Sequence, residues 1–325
     1  MGLEGHLYFH SPCFDGIVSA VLAWDFLERR LEWTPITLHS VNYDIREGWL
    51  DSALEKPCAI VDFLYHPQAD FWADHHLTTF LNEDARKDFR TRREPTFVYD
   101  DRAGSCAALL WDHLAKAFDH RSAAYAEMVE WANKIDSARY ESVSDAIFPT
   151  VPALKISLGL VFGCQGGYCE RLVSELREGT LDNVAQLPEV RERFDKAQSL
   201  IRLGLDRFAK AARLEIDGIV VFDVESKDSI ISRYASYYFY PEARYSAGIV
   251  RWQEGAKITA MRNPWLEFEG VSLGRICKEL GGGGHRRVGS IVLHGERTAE
   301  APALLNRILS EIRREDGKTR EGQEV

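Results

Sequence analysis

Apolar residues recur along this chain with two periods, and the period changes from one stretch to the next. "HLYFH" (6–10), "ITLHSVNY" (36–43), "CAIVDF" (58–63) and "TFVYDD" (96–101) are short apolar runs of β-type composition and predict strands. Between them, "GIVSAVLAWDFLERR" (16–30) and "GSCAALLWDHLAKAF" (104–118) carry apolar residues at helical spacing. Strands separated by helices imply βαβ units and a mostly parallel sheet. From Pro188 to Arg213 the pattern is helical and amphipathic with no proline after its start, as a connecting helix requires. Strand patterns then resume at "GIVVFDV" (218–224), "YSAGIVRW" (245–252), "AKITAMRN" (256–263) and "VGSIVLHG" (288–295), while "SLGRICKELGGGG" (272–284) reads as a helix ending in glycines. The expected fold is α/β. An N-terminal domain over 1–185 holds a mostly parallel sheet flanked by helices, a connecting helix covers 186–214, and a smaller α/β domain with a mixed sheet covers 215–325.

Composition narrows the function classes. With 325 residues, 45% of them hydrophobic, the chain has material for two cores, and a disordered chain is excluded. A net charge of −10 argues against a broad basic face that grips long duplexes, so any nucleic-acid partner is expected to be short and single-stranded, or a small nucleotide. The six cysteines show no CxxC pairing, and "MGLEGHLYFHSPCFDG" has neither a basic n-region nor a long apolar run; the expectation is a reduced, cytoplasmic protein. No stretch approaches the roughly 20 apolar residues of a membrane span. "CQGGYC" (164–169) lacks a second ligand pair and reads as a loop. The aromatic run "YASYYFYPEARY" (234–245) suits a domain core or a dimer surface better than base stacking, which leaves a homodimer open. The charged tail "RREDGKTREGQEV" (313–325) is expected to fray.

The candidate chemistry collects where ligands bind in open α/β sheets, beyond the carboxyl ends of the strands. His10, Cys13 and Asp15 follow the first strand, Asp62 ends a later one, and Asp74, His75 and His76 follow in "FWADHHLTTF". Singly, each has a plain structural role: His10 as a satisfied strand-end histidine, Asp15 as an N-cap for the helix near Ile17, Asp62 as a turn former. Together they form a set of oxygen and imidazole donors suited to Mn, Mg, Fe or Zn. Buried without a partner such groups are costly, and a cation removes that cost.

These stretches resemble the motifs of the DHH phosphoesterase superfamily, which includes single-strand exonucleases, oligoribonucleases and cyclic-dinucleotide phosphodiesterases. "HSPCFDGIVSA" (10–20), "VDF" around Asp62, "DHH" (74–76), "DDRAGSCAALLW" (100–111) and "KIDSARY" around Asp136 follow the order of that family, and "GGGGHRRVGS" (281–290) is similar to the signature of its associated C-terminal domain. The resemblance implies two divalent metal ions, Mn2+ first, with His10 and Asp62 on one, and Asp15, Asp62, His75 and Asp136 on the other. It also implies that Asp74 supports the cluster from behind and that His76 faces the scissile phosphate. Cys13 departs from the pattern, standing where the family usually has aspartate. A thiolate there favours Zn2+ or Fe2+ and retunes, weakens or removes the first site; alternatively Cys13 is a small buried hydrophobe.

Four consecutive glycines followed by "HRR" and a strand are either a helix C-cap with a flexible turn or a place where backbone N–H groups approach a phosphate. On the second reading Gly282, Gly283, Gly284, His285 and Arg286 bind substrate, and the resemblance adds Arg262. The implied activity is hydrolysis of phosphodiester or phosphomonoester bonds in oligoribonucleotides, cyclic dinucleotides or 3′,5′-bisphosphate nucleosides. The alternative is a catalytically weakened nucleotide-binding or regulatory protein. An inorganic pyrophosphatase or polyphosphatase shares the first half, and the glycine-rich signature argues against it.

Overall fold

The computed structural model describes residues 2–321. The chain forms two compact units, Met1–Tyr140 with Thr150–Asp195, and Glu141–Pro149 with Lys196–Val325.

The first unit is built on a five-stranded sheet in the order β2-β1-β3-β4-β5. Its strands are β1 (Leu3–His10), β2 (Trp33–Val41), β3 (Cys58–Val61), β4 (Phe71–Asp74) and β5 (Phe97–Tyr99), and every pairing is parallel. Alternate residues of one strand serve opposite faces, as the pleat dictates. Leu7, Phe9, Ala59, Val61 and Phe71 pack on one side with Ile17, Val21 and Phe26 of α1 (Phe14–Leu31). Tyr8, Ile60 and Trp72 pack on the other with Trp49, Phe63 and Tyr65. Both faces are covered, which is why β3 reads as a continuous apolar run. Helices α2 (Glu83–Thr91), α3 (Cys106–Phe118) and α4 (Ala126–Asp136) follow; α5 (Val143–Ile147) belongs to the second unit, and α6 (Pro152–Gly159), α7 (Tyr168–Glu178) and α8 (Leu181–Ala185) return to the first. The sequence pattern gave no sign of α4 to α8, most of which are too short to display a period, nor of the four-residue β4.

The long helix α9 (Pro188–Ala211) lies where the sequence pattern is helical from Pro188 to Arg213. A six-stranded sheet follows in the order β10-β11-β9-β8-β7-β6, comprising β6 (Arg213–Leu214), β7 (Ile219–Glu225), β8 (Tyr245–Trp252), β9 (Gly255–Arg262), β10 (Gly283–His285) and β11 (Val288–His294). It is mixed: β7 and β8 are parallel and the other pairs antiparallel. Ile249, Ile258 and Ile291 pack with Ile276 of α11 (Leu273–Glu279) and with Ile308 and Ile312 of α12 (Ala301–Glu321). The α/β architecture of both sheets is the one expected. Within the aromatic run, Tyr234, Tyr237 and Tyr245 are buried while Tyr238 and Phe239, in α10 (Ala235–Phe239), stay exposed.

Two expectations are corrected. The tail does not fray through residue 321: it continues α12, because the buried Asp316 accepts hydrogen bonds from Arg244 Nη1 (2.5 Å) and Tyr245 Oη (2.8 Å). The cysteines are not all reduced either. A turn around Gly166 and Gly167, both at positive φ, brings Cys164 and Cys169 to a Cα separation of 5.0 Å, where they form a disulfide. Among the described residues no helix is long and apolar enough to cross a membrane.

Candidate metal centre

Three neighbouring strands deliver the site from their carboxyl ends. β1 stops at His10, and α1 starts three residues after Ser11 with Cys13 as its N-cap. Gly16 makes this approach feasible, since a Cβ there would lie 2.0 Å from the His10 carbonyl oxygen and 3.2 Å from Asp62 Oδ2. β3 stops at Val61, and Asp62 turns the chain with φ 57, a left-handed conformation that a non-glycine residue adopts at a cost of about 1–3 kcal/mol. β4 ends at Asp74, whose Oδ1 accepts from the His75 backbone N–H (2.8 Å) and from His76 Nδ1 (2.8 Å).

The side chains converge around Asp62. Its Oδ2 lies 3.2 Å from His10 Nδ1, while its Oδ1 lies 3.7 Å from His75 Nε2 and 3.7 Å from His76 Nδ1. His75 Nε2 is also 3.7 Å from Asp15 Oδ2 and 3.5 Å from Asp136 Oδ2. Three sets of donor atoms each fall within 4.8 Å of one another: His10, Cys13 and Asp62; Asp15, His75 and Asp136; and Asp62, Asp74, His75 and His76. Every residue that the sequence reading assigned to the metal or the reaction is thus brought to one place.

Asp15 holds a position that the sequence did not disclose. It does not cap its own helix; its Oδ2 accepts from Cys106 N–H (2.7 Å) and its Oδ1 from Ala107 N–H (2.9 Å), at the start of α3. A carboxylate has about four lone-pair sites, so both oxygens keep donor capacity. His75 Nδ1 donates to the Ala103 carbonyl (3.1 Å), which fixes the tautomer and leaves Nε2 as the ligand atom.

The electrostatics are those of a site with too many carboxylates. Asp15, Asp62 and Asp74 are buried. Burial, followed by the charges of Asp15, Asp74 and Asp136, pushes the Asp62 carboxyl well above its usual range. Burial and then His76 depress the His10 imidazole to about 4. For His76 burial opposes the charge, but Asp74, Asp136 and Asp15 outweigh it and lift the imidazole to about 9. The Cys13 thiol is raised by burial and then by Asp62, Asp136 and Asp15. Asp62 Oδ1, Asp74 Oδ2 and His75 Nε2 are buried without a hydrogen-bond partner. Three orphaned buried donors among clustered carboxylates fit a divalent cation.

The remaining predicted residues lie in the second unit. Arg262, at the end of β9, donates to the Phe268 carbonyl and lies 4.1 Å from the centre of the Phe268 ring; Arg244 lies 4.4 Å from the same ring. Burial, then Arg287, Arg286 and Arg244, lowers the Arg262 pKa. The glycine run is ordered. Gly281 (φ 86) closes α11, with Gly282 N–H donating to the Cys277 carbonyl at 2.8 Å, and Gly283 opens β10. A Cβ on Gly282 would lie 2.2 Å from the Ser290 carbonyl, and one on Gly284 2.3 Å from that of Val288, whereas one on Gly283 would meet nothing within 4 Å. Arg286 is exposed, and the His285 side chain lies outside the described residues.

No family model matches the sequence, and no curated protein matches it either. Solved structures do. The chain superposes on the pGpG-specific phosphodiesterase PggH from Vibrio cholerae with a TM-score of 0.67 and 19% identity, over 94% of this chain and 99% of that one. It superposes on RecJ from Thermus thermophilus in complex with Mn2+ with a TM-score of 0.59 and 14% identity, over 96% of this chain and 52% of that one. The chain has the fold of these proteins. That is the fold the DHH resemblance implied, now found independently of any motif. The match to PggH extends over both units.

Proposed function

We propose that the protein is a metal-dependent phosphoesterase that hydrolyses phosphodiester or phosphomonoester bonds of short nucleotides. The observation that carries this reading is the orientation of Asp62, with Oδ2 toward His10 and Oδ1 toward His75, so that one carboxylate serves two donor sets. His10, Cys13 and Asp62 would hold one divalent cation, and Asp15, Asp62, His75 and Asp136 the other. Mn2+ is the first candidate, as the ion bound by the RecJ relative, with Zn2+ or Fe2+ admitted by Cys13. When bound, such cations neutralise phosphoryl charge and lower the pKa of water. Asp74 orients His76 through Nδ1, and His76 meets the phosphoryl oxygen with its other ring nitrogen. Arg262, Gly282, Gly283, Gly284, His285 and Arg286 bind the nucleotide away from the scissile phosphate. The named activity of PggH makes pGpG the first substrate to assay, alongside short oligoribonucleotides, cyclic dinucleotides and bisphosphate nucleosides.

Metal-stripped protein resupplied with Mn2+ should cleave at least one member of that panel. Asp62→Ala should abolish turnover with an unchanged circular dichroism spectrum, because it removes a donor from both cations. Activity of Asp62→Ala within tenfold of wild type would sink the reading.

A further inference from the structure

Tyr43 stands at this centre and had no signal in the sequence, where it reads as the last residue of a strand. In the structure β2 ends at Val41, and Tyr43 opens a 3-10 turn, Tyr43–Asp51, capped by the Asn42 side chain. Its ring is fixed on the site side, with the centroid 4.9 Å from that of His10, 5.2 Å from Phe63 and 6.3 Å from His76. Aromatic neighbours therefore account for the ring. They do not account for the hydroxyl, which makes no hydrogen bond among the described residues and, besides being partly buried, feels the charges of Asp74, Asp62 and Cys13, with Arg46 of the same turn as the countering cation. Residues i and i+3 eclipse on a 3-10 helix, so Tyr43 and Arg46 project from one side of the turn. Neither has a carboxylate partner among the described residues.

We propose that the Tyr43 hydroxyl positions the substrate by donating a hydrogen bond to a non-bridging oxygen of the phosphate held at the centre. The inference rests on the phosphoesterase reading of that centre. It follows from the chemistry of the surroundings. The Asp62 and Asp74 carboxylates accept only, and they bind cations and the His76 ring rather than an anion. A phosphate entering here needs neutral or positive donors, and a hydroxyl on a ring already immobilised by Phe63 and His10 supplies one with little ordering left to do.

The test compares wild type, Tyr43→Phe and Tyr43→Ala by three measurements: kcat and KM on pGpG with Mn2+, calorimetric binding of inorganic phosphate to the Mn2+-loaded protein, and metal content per chain. Phenylalanine keeps the ring and deletes only the donor. Tyr43→Phe should lose about tenfold or more in kcat/KM and in phosphate affinity, the scale of one hydrogen bond to a charged group, with metal content and unfolding temperature unchanged. Tyr43→Phe within twofold of wild type in both measurements would overturn the proposal. So would a loss of metal from Tyr43→Phe, which would make the residue a support for the ligands. If wild type binds phosphate but cleaves no substrate, the phosphoesterase reading fails and the phosphate affinities still decide for or against Tyr43. If wild type loads Mn2+ and binds no phosphate, both fall.

Discussion

Cys13 separates this centre from one made only of oxygen and imidazole donors. Its sulfur shares a donor set with His10 and Asp62, and burial together with three carboxylates favours the thiol until a cation offsets them. A bound thiolate makes the first site softer than a carboxylate would, and hence more favourable to Zn2+ or Fe2+. Cys13→Asp should therefore raise the ratio of Mn2+-supported to Zn2+-supported activity, and Cys13→Ala should lower the affinity for one of the two ions. Metal titrations of the three proteins check this; superimposable ion profiles would make the sulfur a bystander. At this scale the sequence was informative wherever chemistry depends on residue type. His10, Asp15, Asp62, Asp74, His75 and His76 announced themselves as metal-competent groups near strand ends, Asp136 came only from the family resemblance, and all of them meet. It was silent where the contribution comes from position alone. Ala103 orients His75 through a backbone carbonyl, and Tyr43 reaches the site because its strand stops two residues earlier than its apolar run does.

Elements were legible in proportion to their length and period. Helices of 13 to 24 residues such as α3, α1 and α9 displayed a full amphipathic repeat, whereas the five-residue α5, α8 and α10 offered little more than one turn. The C-terminal helix was misjudged for another reason. Its charged end looked like a solvated tail, but Asp316 is a buried acceptor that ties the helix to Arg244 and Tyr245 on β8 and the turn before it. Asp316→Ala would strand both donors, so we expect a loss of about 1–3 kcal/mol in urea unfolding. The midpoint should fall with an unaltered slope; no change would return residues 313–321 to the status of a tail. The glycine run carries the same lesson in reverse. Its length suggested a phosphate cradle, yet Gly281, Gly282 and Gly284 are also required by backbone geometry, a demand that Gly283 does not share.

For the whole molecule, the cation should act on one unit rather than on both. All of the candidate ligands lie within Met1–Tyr140, so binding adds its linkage free energy to the first unit. Chelation should lower the unfolding transition of that unit in calorimetry and leave the transition of the second in place. A thermogram indifferent to chelator would mean that the carboxylate cluster takes no cation. The partition of the chain has a further consequence, for the order of events on the ribosome. Residues 141–149 leave the first unit, belong to the second, and the chain then returns at Thr150. In the finished protein the Ile147 carbonyl accepts from Gln198 Nε2 at 2.9 Å, and the Phe148 ring lies 5.8 Å from that of Tyr238. Neither partner exists when the segment emerges. A nascent chain can complete the first sheet and the metal-binding residues while Glu141–Pro149 waits undocked, with Ile147 exposed, until some ninety further residues have been made. At about 5–20 residues per second that interval lasts several seconds, long enough for a chaperone that recognises short apolar segments to act.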